Sequence, residues 1–281
     1  MDPNQFFTAS RVFIVAGKGG VGKSKIAAAL TLAAQRCGLT SLLVETDGKP
    51  VPSGISSLSL TPPEALREYL DTKGLGRISR LMITTGVLDV ITSAAPGIDD
   101  LLVLGKVKHL ERSDAADVIV VDGPAAGHAI TMLRTPQAIS DAVKSGAVRL
   151  QADEILEMLR DGSRCQVVLV TIPEPTPVQE CIETAYALEE EVGVKLAPIV
   201  VNQVDTSEPL DIPLSLPEHS ALAQAAEFRN AQILRHHTNI KKLEEQLPLA
   251  QLIVSDLASC TIEIIADQLL AAIEKLRAVS K

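Results

Sequence analysis

An aliphatic run, VFIVA at residues 12–16, leads directly into GKGGVGKS, Gly17 to Ser24, and then into KSKIAAALTLAAQRCG, whose apolar residues recur at helical spacing until Gly38. Four glycines in eight residues rule out a regular element across that stretch, so the chain must pass from a buried strand to a helix through a tight loop. The next apolar run, TSLLVET from Thr40 to Thr46, reads as a second strand. Strand, loop, helix and strand in this order build a right-handed parallel crossover.

The same alternation continues. DVIVVDG, starting at Asp117, is a buried strand ending on Asp122; QVVLVT at 166–171, LAPIVVNQV from Leu196 to Val204 and a short run at 250–254 are further strands, with helical patterns between them. Stretches rich in Pro, Gly and Ser at 47–60 and 206–220 read as loops, and helices fill most of a region at about 61–110. No second glycine-rich loop or fixed-period repeat occurs, so the expected architecture is α/β: one P-loop domain over 1–281 with a doubly wound, mostly parallel sheet. Its core must be aliphatic, because aromatic residues make up only 2% of the chain and Trp is absent.

Charge and composition exclude several functions. A formal net charge of -9 without a basic patch disfavours nucleic acid and anionic lipid as partners. The opening MDPNQFFTAS has no charged n-region or apolar h-region, and no later segment approaches the ~20 apolar residues of a membrane span. A cytoplasmic protein without stable membrane insertion is expected. Cys37, Cys165, Cys181 and Cys260 form no CxxC and no Cys/His cluster, which points to reduced thiols rather than zinc. The adjacent His236 and His237 diverge on a helix and are expected on a solvated face.

Gly17, Gly22, Lys23 and Ser24 fit G-x-x-x-x-G-K-[ST]. In such a loop the backbone N–H groups, here across Gly17, Gly19, Gly20, Val21, Gly22, Lys23, Ser24 and Lys25, wrap the phosphates of a nucleotide; the lysine reaches the outer phosphates and the hydroxyl ligates Mg²⁺. Asp122, at the carboxyl end of a strand, is placed to hold the same Mg²⁺ through water. Asn202 to Asp205 also fit N-x-x-D, a guanine-reading spacing, although Gln203 stands where a lysine is usual.

The first lysine of the loop, Lys18, makes this a deviant Walker A motif, and the chain resembles the ArsA-type ATPases. Four blocks carry the resemblance: GKGGVGKS; VDGPAAGH at Val121 to His128; TIPEP with its following helix, Thr171 to Glu191; and VNQ at Val201 to Gln203. LLVE and the block APGIDDLLVLGKVK, Ala95 to Lys108, are most similar to the short, paired ArsA-like ATPases of actinobacteria. The resemblance implies an ATP- and Mg²⁺-dependent switch that forms a homodimer, or a heterodimer with a related chain, and acts on an unidentified client. It implies that Lys18 reaches the partner's phosphates and that Asn202 meets the adenine edge, and it leaves His128 either coupling a mobile turn to the nucleotide or capping a helix.

The chain also departs from that pattern. In the family's switch I segment a second aspartate orients the attacking water; here DGKPVPSGI matches the first with Asp47 but places Gly54 at the second. Slow hydrolysis through Lys18, Lys23 and Mg²⁺ is the expectation, with Asp47 serving the metal shell. A hydrolytically weak regulatory subunit of a heterodimer is the alternative, and a MinD- or ParA-like positioning ATPase is disfavoured by the net acidity. Arsenite and tail-anchored-protein roles are unsupported: no clustered cysteines follow Gly127 before Cys165, and the chain has four Met.

Overall fold

In a computed structural model the chain is described over residues 1–46, 48, 50–72, 97–113, 115–211, 220–256 and 261–276. The described elements run α1 (Pro3–Thr8), β1 (Val12–Gly17), α2 (Lys23–Arg36), β2 (Ser41–Glu45), β3 (Ser57–Ser59), α3 (Pro62–Thr72), α4 (Ile98–Arg112), β4 (Val118–Ala125), α5 (Ala126–Ala142), α6 (Ala147–Arg160), β5 (Cys165–Thr171), α7 (Pro175–Ala187), β6 (Lys195–Leu196), β7 (Ile199–Val204), α8 (Ala221–Gln246), β8 (Gln251–Ser255) and α9 (Ile262–Lys275).

The strands form one eight-stranded sheet of order β3-β2-β4-β1-β5-β7-β8, with β6 paired to β5, and every pairing is parallel. Because side chains alternate across a strand, each central strand feeds two cores. Ile14, Val121 and Leu169 face α4 to α7, where Leu104, Leu133, Ile155 and Val178 are buried. Phe13, Val120 and Val168 face the other side, packed against the alanine-rich face of α2 and against Leu269 and Ile273 of α9. Helices on both faces of a parallel sheet explain the near-continuous apolar strands.

Three details differ from the sequence reading. Residues 57–59, within the expected loop, form edge strand β3 because Leu43 and Glu45 of β2 exchange backbone bonds with them, Leu43 N donating to Ser56 O at 2.9 Å and Leu60 N to Glu45 O at 2.8 Å. The expected strand Leu196 to Val204 is broken into β6 and β7 at Pro198, which has no N–H to give the ladder. The first residues form α1, N-capped by Asp2, whose Phe6 and Phe7 pack on Phe13 with ring centroids 5.6 and 6.3 Å away. Burying each ring is worth about 1.5–3 kcal/mol, which offsets the ordering of an otherwise short helix. Asp47, Ala95 and Pro96, most of the expected helical stretch at 73–96, and Cys260 lie outside the described residues.

Chain order and sheet order diverge around β1. From β1 the chain crosses through α2 to β2, while β4 and β5 flank β1 on either side. That switch point opens a crevice at the carboxyl ends of β1, β4 and β5, where α2 begins.

Candidate functional site

The loop between β1 and α2 is shaped by close approach. A Cβ on Gly17 would lie 2.2 Å from the Val170 carbonyl oxygen of β5, and one on Gly22 would lie 2.5 Å from Asn202 Nδ2. Gly22 also has φ +92°, so any side chain there meets both a clash and an unfavourable backbone. Gly22 is the N-cap of α2 and supplies no side-chain cap, which leaves the first-turn N–H groups of α2 directed into the crevice. An anion is what such a terminus accepts.

The two lysines of the loop have different surroundings. Lys23 Nζ donates to the Lys18 carbonyl oxygen at 3.3 Å, so its ammonium lies over the loop itself. Lys18 instead turns to α7, where its Nζ meets Glu180 Oε1 at 2.5 Å in a pair that is partly solvated on both sides. Ser24 follows in the first turn of α2 and is half-buried.

Asp122 lies opposite Val15 of β1 and is 3% exposed. Its register partner on β2 is Glu45, 2% exposed. Val44 and Val121 point into the core beneath α4 to α6, so alternation turns Glu45 and Asp122 to the α2 side, beneath the helix that carries Lys23 and Ser24. Thr46 closes this edge by donating from Oγ1 to the Asp122 carbonyl oxygen at 2.9 Å. Two dehydrated carboxylates side by side repel one another and favour a cation in their neighbourhood. Asp122 is expected from the sequence and Glu45 is not, although both directly follow an apolar run.

For Mg²⁺ the donor set fits: a hydroxyl on the first turn of α2, and buried carboxylates on β4 and β2 turned to the side of the sheet that α2 covers. Gly54, by contrast, occupies an exposed turn at φ +91°, with nothing within 4 Å of where its Cβ would be. The space would admit an aspartate, but the backbone favours glycine. His128, in the first turn of α5, is largely exposed, with Nε2 3.6 Å from Asp100 Oδ1.

On the β7 side, buried Asn202 donates from Nδ2 to the Val21 carbonyl oxygen at 2.9 Å, tying this strand end to the loop. Gln203 has φ +58° at a bulge between Val201 and Val204, and Asp205 follows. The Asp205 carboxylate is engaged: Oδ1 accepts from Ser207 N at 3.0 Å and Oδ2 from Arg229 Nε at 3.2 Å. Hydrogen bonds from Ser207, side chain before backbone, and then Arg229 hold this carboxyl below the ordinary aspartate value. His236 corrects the expectation of a solvated pair: His237 is exposed, but His236 is 3% exposed because α8 turns it inward. A cavity of about 400 Å³ between α3, α4 and α6, lined by Leu101, Leu102 and Ala65 among others, includes none of these residues.

A parallel sheet with a glycine loop at its switch point, two loop lysines in distinct environments and an acid on the neighbouring strand defines a P-loop nucleotide-binding protein. The chain matches the family described as the CobQ/CobB/MinD/ParA nucleotide binding domain over residues 12–249, and it belongs to that family. Within it the chain is ArsA-like. It is 33% identical over 246 residues to ATPase BagA of Mycobacterium tuberculosis, covering 77% of this chain and 69% of that one. It is 28% identical over 271 residues to the arsenical pump-driving ATPase of Acidiphilium multivorum, covering 83% of this chain and 43% of the other. To ATPase GET3B of Arabidopsis thaliana it is 22% identical over 267 residues, covering 70% and 65%.

Proposed function

We propose that the chain, as a single P-loop domain, is a Mg²⁺-dependent ATPase that binds ATP at the loop 17–25 and works as a nucleotide-driven dimeric switch for a client protein. The observation that carries this reading is the division of labour between the two lysines. Lys23 lies over its own loop, whereas Lys18 is held away from it by a partly solvated glutamate, available to a partner's nucleotide. Lys23 binds the β and γ phosphates; Ser24, and Asp122 through water, hold Mg²⁺. Bound there, the metal supplies charge neutralisation at the phosphate oxygens. Asn202, with one N–H given to Val21, keeps a second N–H and a carbonyl oxygen for the adenine edge. Engagement of Asp205 by Arg229 and Ser207 supports ATP over GTP, because a guanine-reading carboxylate must be free to accept from the base.

Calorimetry with ATP and Mg²⁺, paired with light scattering, tests the reading. It predicts binding that Lys23→Ala removes and a shift to dimer with a non-hydrolysed ATP analogue; a chain that binds but stays monomeric, alone and with a related chain, would sink the switch. Gly54 favours a second reading, a hydrolytically weak regulatory subunit of a heterodimer. Robust turnover by the purified chain alone would eliminate it. Among the described residues no helix is long and apolar enough to cross a membrane.

A further inference from the structure

The buried face of α8 carries Ile233, His236, Asn239 and Leu243. In a helix packed on a sheet this stripe is normally apolar throughout, since a buried polar side chain is costly unless it is hydrogen-bonded. His236 and Asn239 are hydrogen-bonded, and their partners are not random. His236 Nδ1 accepts from the Asp205 backbone N–H at 3.1 Å, in the loop after β7. Its Nε2 lies 3.6 Å from Glu174 Oε1, in the turn after β5. Asn239 Nδ2 donates to the Pro173 carbonyl oxygen of that same turn at 3.2 Å and to Arg235 O at 2.9 Å. An imidazole that accepts at Nδ1 carries its proton on Nε2, the atom that faces Glu174.

These two loops lie side by side, both on the β5–β7 side of the P-loop, at the carboxyl end of the sheet. The segment 202–205 is fixed at one end by Asn202 on Val21 O and at the other by Asp205 on His236, with left-handed Gln203 between them. A non-glycine residue in that backbone region persists only where its surroundings over-determine it. We propose that His236 is a positioning residue for the nucleotide base: by accepting from the Asp205 N–H it holds the bulged segment 202–205, and with it Asn202, in the conformation that receives the base. This rests on the reading of Asn202 as the adenine contact. The phosphates are assigned to the loop 17–25, which the segment 202–205 meets through the Asn202–Val21 bond, so His236 acts chiefly on base binding and only weakly, through that one bond, on phosphate binding.

The test compares Mg²⁺·ADP with Mg²⁺·pyrophosphate, which lacks a base, by calorimetry on the full chain and two polar variants. His236→Asn can place its Oδ1 where Nδ1 was and keeps the acceptor; His236→Gln extends past that position and loses it. Losing one buried hydrogen bond predicts about a tenfold weaker ADP affinity for His236→Gln, pyrophosphate affinity within about twofold of wild type, and recovery of most of the ADP affinity in His236→Asn. Thermal unfolding of both variants checks that they are folded. Equal losses for ADP and pyrophosphate, or indistinguishable ADP affinities in the two variants, would overturn the positioning role. Wild-type chain that binds pyrophosphate as tightly as ADP would overturn the base assignment and this role together, whereas binding of neither ligand would overturn the P-loop reading beneath both.

Discussion

The end of the site proposed to hold the phosphates and the end proposed to hold the base are built in different ways. The first is nearly contiguous: Gly17 to Lys25 lie in one loop and helix start, and only Asp122 and Glu45 join from neighbouring strands. The second is assembled from three distant segments, the turn at 172–174, the bulge at 202–205 and the inner face of α8, joined to one another by His236 and Asn239 and to the glycine loop by Asn202. A contiguous cradle owes its shape to backbone conformation, so it should fail abruptly when altered. An assembled clamp spreads its energy over several bonds, so single changes should weaken it by degrees.

Five substitutions sharpen or break this contrast. Lys23→Ala removes a charged donor from the phosphates and should weaken ATP binding by at least about 100-fold, read by calorimetry; a loss under tenfold would mean the loop's N–H groups suffice. Gly22→Ala places a Cβ against Asn202 Nδ2 at a left-handed residue and should cost about 2 kcal/mol of stability in denaturant unfolding. Gly20→Ala shares the positive φ, +88°, but has nothing within 4 Å, so about 1 kcal/mol is expected and the difference isolates the clash. Glu180→Gln frees Lys18 from a partly solvated ion pair and should raise nucleotide-driven dimerisation by no more than about fivefold, since such pairs are worth under ~1 kcal/mol. Arg229→Met releases one of the bonds on Asp205, and because Ser207 N still donates to that carboxylate, GDP affinity should rise only about threefold while ADP is unchanged.

The contrast follows what could be read along the chain. Gly17, Gly22, Lys23, Ser24 and Asp122 were legible because a glycine loop between an apolar strand and a helix, or an acid ending an apolar strand, is a local signature. Glu45 has the same local signature, but an acid after an apolar run has no assignable role until its strand neighbour is known, and that neighbour, Asp122, is 77 residues away. Asn202 was legible as a residue of interest through resemblance, but its bond to Val21 was not. His236 was misjudged for a physical reason: a histidine beside another histidine on a long polar helix gives no periodicity that distinguishes an inward position from an outward one.

The alternation of strands and helices, the glycine loop at the head of α2 and the acid near the carboxyl end of β4 are local features of the sequence, because strand burial, glycine backbone freedom and helix-terminal dipoles act over a few residues. Long-range packing sets the rest: Glu45 stands opposite Asp122, Lys18 rests on Glu180 across 162 residues, Asn202 holds Val21 across 181 and His236 holds Asp205 across 31. Those contacts depend on which strands become neighbours and how α7 and α8 rotate onto the sheet, and packing across the whole fold fixes both.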